Sequence, residues 1–205
     1  MTTYFNGAFS PNCFKTKILL NELGIEVQQV DFERGEFKRS EYAPKFPFGT
    51  VPALEDNGAY ISESGAIAIY LAEKHQKLMP EDSAARALMW QALNLESANV
   101  GPIIGGRGIF GEMGKPEEKR NQERLGALMG EVQALAHRLS AVLGERAYFA
   151  GDFSIADIQL FPALAKSVKA GLFQEPPANL VRWTERMWQR PSVKKAAPEY
   201  IHFRG

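Results

Sequence analysis

The residues best suited to holding an anion form a short run near the start of the chain, Ser10-Pro11-Asn12-Cys13. An apolar helical repeat comes next, so Ser10 is predicted to cap that helix, with Pro11 at its first position, where a missing N–H costs nothing. Free N–H groups and the positive end of the helix dipole favour a thiolate or another anion there. Taken alone, the run is more typical of a purely structural cap.

Two further segments with candidate binding groups flank a predicted hairpin. A cis bond at Val51-Pro52 would let Val51 present its N–H and C=O to a peptide-like ligand. The alternative is an ordinary proline at the start of a strand. Glu63 and Ser64 open the next helix, where a hydroxyl suits a carboxylate and a glutamate suits an ammonium group. An amino-acid head group carries both charges, although a capped helix alone also explains the pair.

The elements that must position these residues can be predicted from periodicity and turn signals. Tyr4-Phe5 and residues 25–32 are predicted strands, separated by a helix that Gly24 ends. Asp56-Asn57-Gly58 indicates a hairpin between two further strands, and another helix comes after it. The order strand, helix, strand, uncertain segment, hairpin, helix predicts an α/β domain over residues 1–77.

After a linker at residues 78–83 no convincing strand appears, and residues 84–205 are predicted to form an all-α domain. Gly101-Pro102 is expected to bend or end one of its helices. Ser154 with Asp157 predicts a capped helix start. One long amphipathic helix is indicated by apolar residues at alternating steps of three and four: Leu125, Leu128, Val132, Leu135, Leu139 and Val142.

Composition argues against several classes of protein. Lys+Arg and Asp+Glu both number 24, and no basic stripe is present, so neither a nucleic-acid partner nor a membrane anchor is predicted. No apolar run reaches the roughly 18 residues of a membrane span, and the start lacks signal-peptide features, so a cytoplasmic location is expected. Cys13 is the single cysteine and the three histidines lack ligand spacing, so no metal site is predicted.

Together and in this order, the motifs resemble the glutathione S-transferase superfamily along nearly the whole chain. Three segments carry the resemblance: FPFGTVPALED at 46–56, ISESGAI at 61–67 and FAGDFSIAD at 149–157. The resemblance implies a thioredoxin-like N-terminal domain with a mixed four-stranded sheet, and after it an all-α C-terminal bundle that forms the second-substrate site. It further implies glutathione as co-substrate and a homodimer.

The resemblance also implies roles for the candidate residues. Val51, ahead of a cis Pro52, would pair with the cysteinyl backbone of glutathione, and Glu63 with Ser64 would hold the γ-glutamyl end. Thr50 stands where a lysine commonly helps to hold glutathione, and Phe46 where asparagine is frequent. A weaker or differently placed glycyl end is therefore expected.

The thiolate's hydrogen-bond donor is expected to be Ser10 or Asn12. The run from Ser10 to Asn12 with Lys15, and the segment 101–105, are similar to the bacterial nu class and its fungal relatives. That likeness implies disulfide reduction and peroxidase activity besides conjugation. Tyr4 is an alternative donor, but its place on a strand argues against it. Cys13 lacks a resolving partner and is expected to be a packing residue.

The predicted function is a glutathione-dependent transferase or oxidoreductase acting on an electrophile, disulfide or peroxide. A glutathione-dependent isomerase and a non-catalytic interaction module are the alternatives. The second substrate is expected to lie near the first long helix of the all-α domain, with four lining residues at positions 99–110: Asn99, Ile103, Arg107 and Phe110.

Overall fold

The computed structural model describes residues 1–200; residues 201–205, the end of the predicted all-α domain, lie outside the described part. The described chain divides into two compact units, residues 1–79 with 188–200, and residues 80–187. None of the helices within residues 1–200 is long and apolar enough to cross a membrane. The helices are α1 (Pro11–Leu23), α2 (Ser64–His75), α3 (Ser83–Leu95), α4 (Gly101–Ile104), α5 (Ile109–Met113), α6 (Gln122–Leu143), α7 (Ile155–Lys169), α8 (Ala178–Gln189) and α9 (Pro191–Ala196).

The first unit is built on a mixed four-stranded sheet, as predicted. Its strands are β1 (Thr2–Asn6), β2 (Gln28–Asp31), β3 (Ala53–Asp56) and β4 (Ala59–Ser62). They lie in the order β2-β1-β3-β4, with only the β1–β2 pair parallel. The second strand is shorter than the predicted 25–32, because Gly24, with φ 68°, turns the chain and the Ile25 N–H still bonds to the α1 carbonyl of Leu20 at 2.9 Å.

The two faces of the sheet are covered differently. Tyr4 and Phe5 alternate on β1, as neighbouring strand residues do. The Tyr4 hydroxyl reaches the Cys13 carbonyl of α1, whereas Phe5 packs into an aromatic cluster on the opposite face. The cluster includes Phe46, which is 1% exposed and meets Phe5 edge to face at 5.3 Å. Phe46, one of the two departures from the family pattern, therefore serves packing.

The C-terminal segment belongs to the first unit, although the sequence pattern grouped residues 84–205 together. α9 packs against α1, where the Asn21 side chain donates to the Ser192 carbonyl at 3.1 Å. Arg190 pairs with Glu22, and the buried Tyr200 hydroxyl donates to Asn6 Oδ1 at 2.6 Å. These contacts join groups that are 168 to 194 positions apart, which no local pattern can predict.

The second unit is all-helical, with the predicted long helix as α6. Gly101-Pro102 is predicted to bend or end a helix, and the helical path does not end there. A π-helical turn (Glu96–Val100) continues directly from α3, and the Gly101 N–H bonds to the Glu96 carbonyl. Pro102 then stands in the first turn of α4, where its missing N–H is tolerated. Helical structure therefore continues to Ile104.

The predicted cap of α7 is confirmed as a full capping box. Ser154 Oγ accepts from the Ala156 N–H at 3.3 Å, and Asp157 accepts from the Ser154 N–H at 3.1 Å. Asp157 also accepts from the Trp183 indole at 2.9 Å and from the Phe149 N–H at 3.1 Å. The buried carboxyl thus joins α7, α8 and the segment between α6 and α7.

Candidate functional site

The segments singled out in the sequence leave the sheet at one common end. Phe5, near the end of β1, pairs with Ala53 at the start of β3, and Ala53 pairs with Ser62 at the end of β4. Because β3 runs opposite to both neighbours, the segments after β1, before β3 and after β4 emerge on the same side. The predicted site residues on these segments are Ser10, Asn12, Thr50, Val51, Pro52, Glu63 and Ser64.

Ser10 caps α1, as the sequence predicts. Its backbone is extended, and its Oγ accepts from the Cys13 N–H at 3.4 Å. Its own N–H donates to the Gly7 carbonyl at 2.9 Å, which closes the turn after β1. Since the side chain is 8% exposed and its lone pair is engaged, the hydroxyl proton is what Ser10 can still offer a ligand.

Asn12 holds the open donors of the first turn. It is exposed at the second helical position, and neither its N–H nor its Nδ2 bonds to another group within residues 1–200. Pro11 has no N–H, and the N–H groups of Cys13 and Phe14 both bond to Ser10. The N–H donors available to an anion at this end of α1 therefore belong to Asn12, beside the Ser10 hydroxyl.

Val51 presents unpaired backbone beside that turn. The Val51-Pro52 bond is cis, as the resemblance implies. β3 begins only at Ala53, and the Val51 N–H and C=O have no hydrogen-bond partner in the described part of the chain. A Cβ placed on Gly7 would lie 3.0 Å from Val51 Cγ2, so Val51 directly adjoins the segment that leads to Ser10.

Glu63 stands at the start of α2 in an unusual backbone conformation. Its φ of 70° is rare for a residue with a side chain, and such strain is concentrated at functional sites. Its carbonyl accepts from the Ile67 N–H at 2.9 Å, while its exposed carboxylate makes no ion pair or hydrogen bond within residues 1–200. Ser64, 7% exposed, is the first residue of the helix.

Lys38 is a candidate that sequence reasoning missed. Thr50 is exposed, and the preceding Gly49 has φ 58°. A Cβ on Gly49 would lie 2.8 Å from Lys38 Cβ, so the exposed lysine borders the segment before Val51. The sequence holds no signal for this proximity beyond the presence of a cation, because eleven residues with only one short 3-10 turn among them separate Lys38 from Thr50.

Tyr4 and Cys13 are unsuited to thiol chemistry. Tyr4 is fully buried, its hydroxyl lies 2.8 Å from the Cys13 carbonyl and 3.3 Å from the Tyr200 hydroxyl, and burial raises its pKa further above its usual value. Burial also raises the pKa of the Cys13 thiol to about 11. A protonated, inaccessible thiol is neither a nucleophile nor a redox centre.

A cavity of about 320 Å³ adjoins the N-terminal end of α1. Phe9, in its wall, directly precedes the Ser10 cap, and the Arg34 guanidinium lies 5.0 Å from the Phe9 ring centre. The wall combines two aromatic and three acidic residues with one alanine: Ala8, Phe9, Asp31, Phe32, Glu33 and Glu36.

Comparison with known proteins gives matches over both units. Residues 1–73 match the profile described as glutathione S-transferase, N-terminal domain, and residues 102–191 match glutathione S-transferase, C-terminal domain. Glutathione S-transferase GstB of Escherichia coli K12 is 31% identical over 207 residues, covering 95% of this chain and 97% of the relative.

Solved structures of glutathione transferases have a fold similar to that of this chain. A glutathione transferase from Burkholderia graminis with two glutathione molecules bound per subunit has a TM-score of 0.84 and 27% identity, covering 95% of this chain and 86% of that one. Ure2p5 from Phanerochaete chrysosporium, cocrystallised with 1-(S-glutathionyl)-2,4-dinitrobenzene, has a TM-score of 0.81 and 25% identity, covering 98% and 94%. These matches do not single out the nu class, which stays a prediction.

Proposed function

The chain belongs to the glutathione S-transferase family, and we propose that it binds glutathione at the common end of its sheet and activates the glutathione thiol there. One observation carries the proposal: three separate segments offer open groups at the same end of the sheet. These are the backbone of Val51, the carboxylate of Glu63 and the donors of Asn12. Glutathione combines a peptide backbone, an amino-acid head group and a thiol, which are the chemical complements of those groups.

Each part of glutathione then has a partner. The cysteinyl backbone pairs with the Val51 N–H and C=O in the manner of an added strand. The γ-glutamyl ammonium pairs with Glu63, and its carboxylate accepts from Ser64 and the N-terminus of α2. Lys38 and Thr50 hold the glycyl carboxylate, with Lys38 supplying the charge that a lysine in place of Thr50 would supply.

The sulfur lies over the N-terminus of α1, with Ser10 and Asn12 as donors. Lowering a thiol pKa from about 8.5 to about 6.5 raises the thiolate fraction at pH 7 roughly 25-fold. A less basic thiolate is less nucleophilic, which removes roughly 8-fold of that gain. Activation of the thiol alone therefore raises the reaction rate only about threefold. Holding the second substrate against the sulfur must supply most of the acceleration.

The thiolate can conjugate a carbon electrophile, or it can reduce a disulfide or a peroxide. With a carbon electrophile, a sulfur–carbon bond forms, the leaving group departs with its electron pair, and the thiol proton passes to solvent. With a disulfide, attack gives a mixed disulfide and a free thiol, and a second glutathione releases oxidised glutathione. With a peroxide, the sulfur attacks one oxygen as the O–O bond breaks, which gives glutathione sulfenic acid and an alcohol or water. The thiol of a second glutathione then attacks that sulfur, which releases water and forms oxidised glutathione.

The cavity beside Phe9 is the proposed place for part of the second substrate, because Phe9 and Phe32 in its wall suit an apolar ring. In the helical unit, Asn99, Ile103, Arg107 and Phe110 stay predicted lining residues. We also propose a cytoplasmic, detoxifying role, tested by cell fractionation and by the survival of a deletion strain exposed to electrophiles.

A homodimer is part of the proposal. Phe48, on the segment before Val51, is 77% exposed, and Tyr60 is 40% exposed. A partner subunit that covers this surface would remove both aromatic side chains from water. Sedimentation velocity should show a dimer that Phe48→Ser weakens at least tenfold, while a wild type that sediments as a monomer at micromolar concentration contradicts this part.

The central test is a calorimetric titration of the protein with reduced and oxidised glutathione. Wild type should bind with micromolar to millimolar affinity, and Glu63→Ala should lower the affinity at least tenfold because a charge-assisted bond is lost. Glu117→Ala, an exposed glutamate of the second unit, is the matched control and should bind as wild type does. Absence of binding by the wild type would refute the proposal.

A further inference from the structure

Lys15 is a buried cation near the N-terminus of α1, where the sulfur of glutathione is proposed to lie. The proposed function assigns it no role. Its side chain is 2% exposed, although lysine is among the residues least often buried. A cation in the N-terminal half of a helix also opposes the helix dipole. Helix formation therefore does not explain why a lysine stands here, and one contact of its ammonium group bears directly on the site. The Lys15 Nζ lies 2.9 Å from Asn12 Oδ1.

We propose that Lys15 is a positioning residue that turns the Asn12 amide so that its Nδ2 donors face the sulfur of bound glutathione. The proposal rests on the proposed function. An ammonium group has donors and no acceptor, so the amide atom that faces it must be the oxygen. The amide is planar, and its oxygen and nitrogen diverge from the same trigonal carbon. Nδ2 is thereby directed away from Lys15, on a side chain that is exposed.

Without Lys15, the Asn12 amide has no fixed orientation. A half-turn about its terminal bond would place Oδ1 where Nδ2 was, and an oxygen lone pair repels a thiolate. The backbone of Asn12 is already held, since Thr16 Oγ1 donates to the Asn12 carbonyl at 3.3 Å. Lys15 therefore controls the orientation of the side-chain amide, and its charge also polarises the amide, which strengthens the Nδ2 donors.

The test is a double-mutant cycle read out on the bound thiol. The pKa of enzyme-bound glutathione is measured from thiolate absorbance against pH in wild type, Lys15→Met, Asn12→Ala and the double variant. Lys15→Met should raise that pKa by about 0.5 or more, a threefold fall in thiolate at pH values below it. The double variant should match Asn12→Ala alone, because Lys15 acts through Asn12.

Two further variants separate positioning from packing. Lys15→Arg keeps a donor and should restore part of the shift, with kcat at pH 7 closer to wild type than in Lys15→Met. Lys17→Met removes the next lysine of α1, which pairs with Glu199 at 2.9 Å, and should leave the thiol pKa unchanged. Urea unfolding of every variant identifies any that is not folded. If Lys15→Met is not folded, Lys15→Arg is compared with the wild type instead.

The outcomes are distinct. Additive shifts in the cycle would mean that the Lys15 charge acts directly on the sulfur, which overturns the positioning role. Normal glutathione binding with an unchanged thiol pKa in Lys15→Met overturns the inference and leaves the proposed function intact. No glutathione binding by the wild type overturns both.

Discussion

Gly7 and Val51 are in such close contact that a methyl group on Gly7 would lie 3.0 Å from Val51 Cγ2 and 2.9 Å from Phe9 Cε1. The contact joins the turn that leads to the Ser10 cap to the residue whose backbone is open for a ligand. The segment that leads to Ser10 can therefore lie directly against Val51 only because Gly7 has no side chain.

Gly7→Ala should weaken glutathione binding by about threefold to tenfold, because the added methyl displaces Val51 and Phe9 by a few tenths of an ångström. The accompanying loss of unfolding free energy should be about 1 kcal/mol, since both neighbours are movable side chains. Calorimetry and urea unfolding measure the two effects. Gly130→Ala, on α6 with nothing within 4 Å, is the control. Equal binding by both variants contradicts the contact.

Cys13→Ala should leave glutathione-dependent turnover within about twofold of wild type, because the raised pKa keeps the buried thiol protonated. A disulfide reagent at pH 8 should modify the native protein far more slowly than the urea-unfolded protein. Reaction of the native thiol at the unfolded rate, or loss of turnover in the variant, would restore Cys13 as a chemical group.

Two glycines of the second unit should respond in opposite directions to the same substitution. A Cβ on Gly108 would lie 1.9 Å from the Ile103 carbonyl oxygen, whereas a Cβ on Gly126 in α6 meets nothing within 4 Å. Gly108→Ala should lower the unfolding free energy by about 3 kcal/mol or more, because the backbone must move. Gly126→Ala should raise it by up to about 1 kcal/mol. Urea unfolding distinguishes them, and similar values would contradict the predicted clash.

The pH dependence of stability should carry a contribution from Asp157. Burial raises the pKa of this carboxyl from its ordinary 3.8 to about 6, although Trp183, Phe149 and Ser154 all donate to it. The folded pKa exceeds the unfolded one, so the folded state binds this proton more tightly. The stabilisation is fully present below about pH 4 and is lost as the pH rises through about 6.

Asp157→Asn removes that titration. The unfolding free energy of wild type minus that of the variant should be larger at pH 4.5 than at pH 7.5, by about 2 kcal/mol. Asp152→Asn, at an exposed position in the same segment, is the matched control. A difference that grows towards pH 7.5 would mean that the three donors hold the carboxylate ionised.

Charge in the cavity beside Phe9 should select among second substrates. Glu33 and Glu36 line it, and Glu36 also accepts from the Glu33 N–H at 2.8 Å. Glu33→Gln should raise kcat/KM for an anionic aromatic electrophile about twofold to fourfold relative to its neutral analogue, with the effect shrinking at high salt. Glu117→Gln is the distant control. An unchanged ratio would place the second substrate elsewhere.

The sequence by itself determined the local structural motifs of this protein. The Ser10 cap, the αL stop at Gly24, the Asn57-Gly58 turn and the Ser154–Asp157 capping box each depend on residues within four positions of one another. Local hydrogen bonding and allowed backbone angles are sufficient to fix such features. The family resemblance likewise depended on short motifs in a given order.

Only the tertiary structure determined which of those local motifs lie close together in space. The antiparallel register of β3 sets the Ser10, Val51 and Glu63 segments at one end of the sheet, and the close approach at Gly49 adds Lys38. The burial of Tyr4 required Tyr200 to return to the first unit from 196 positions away. Strand register and packing depend on groups far apart in the chain, so no local pattern contains them.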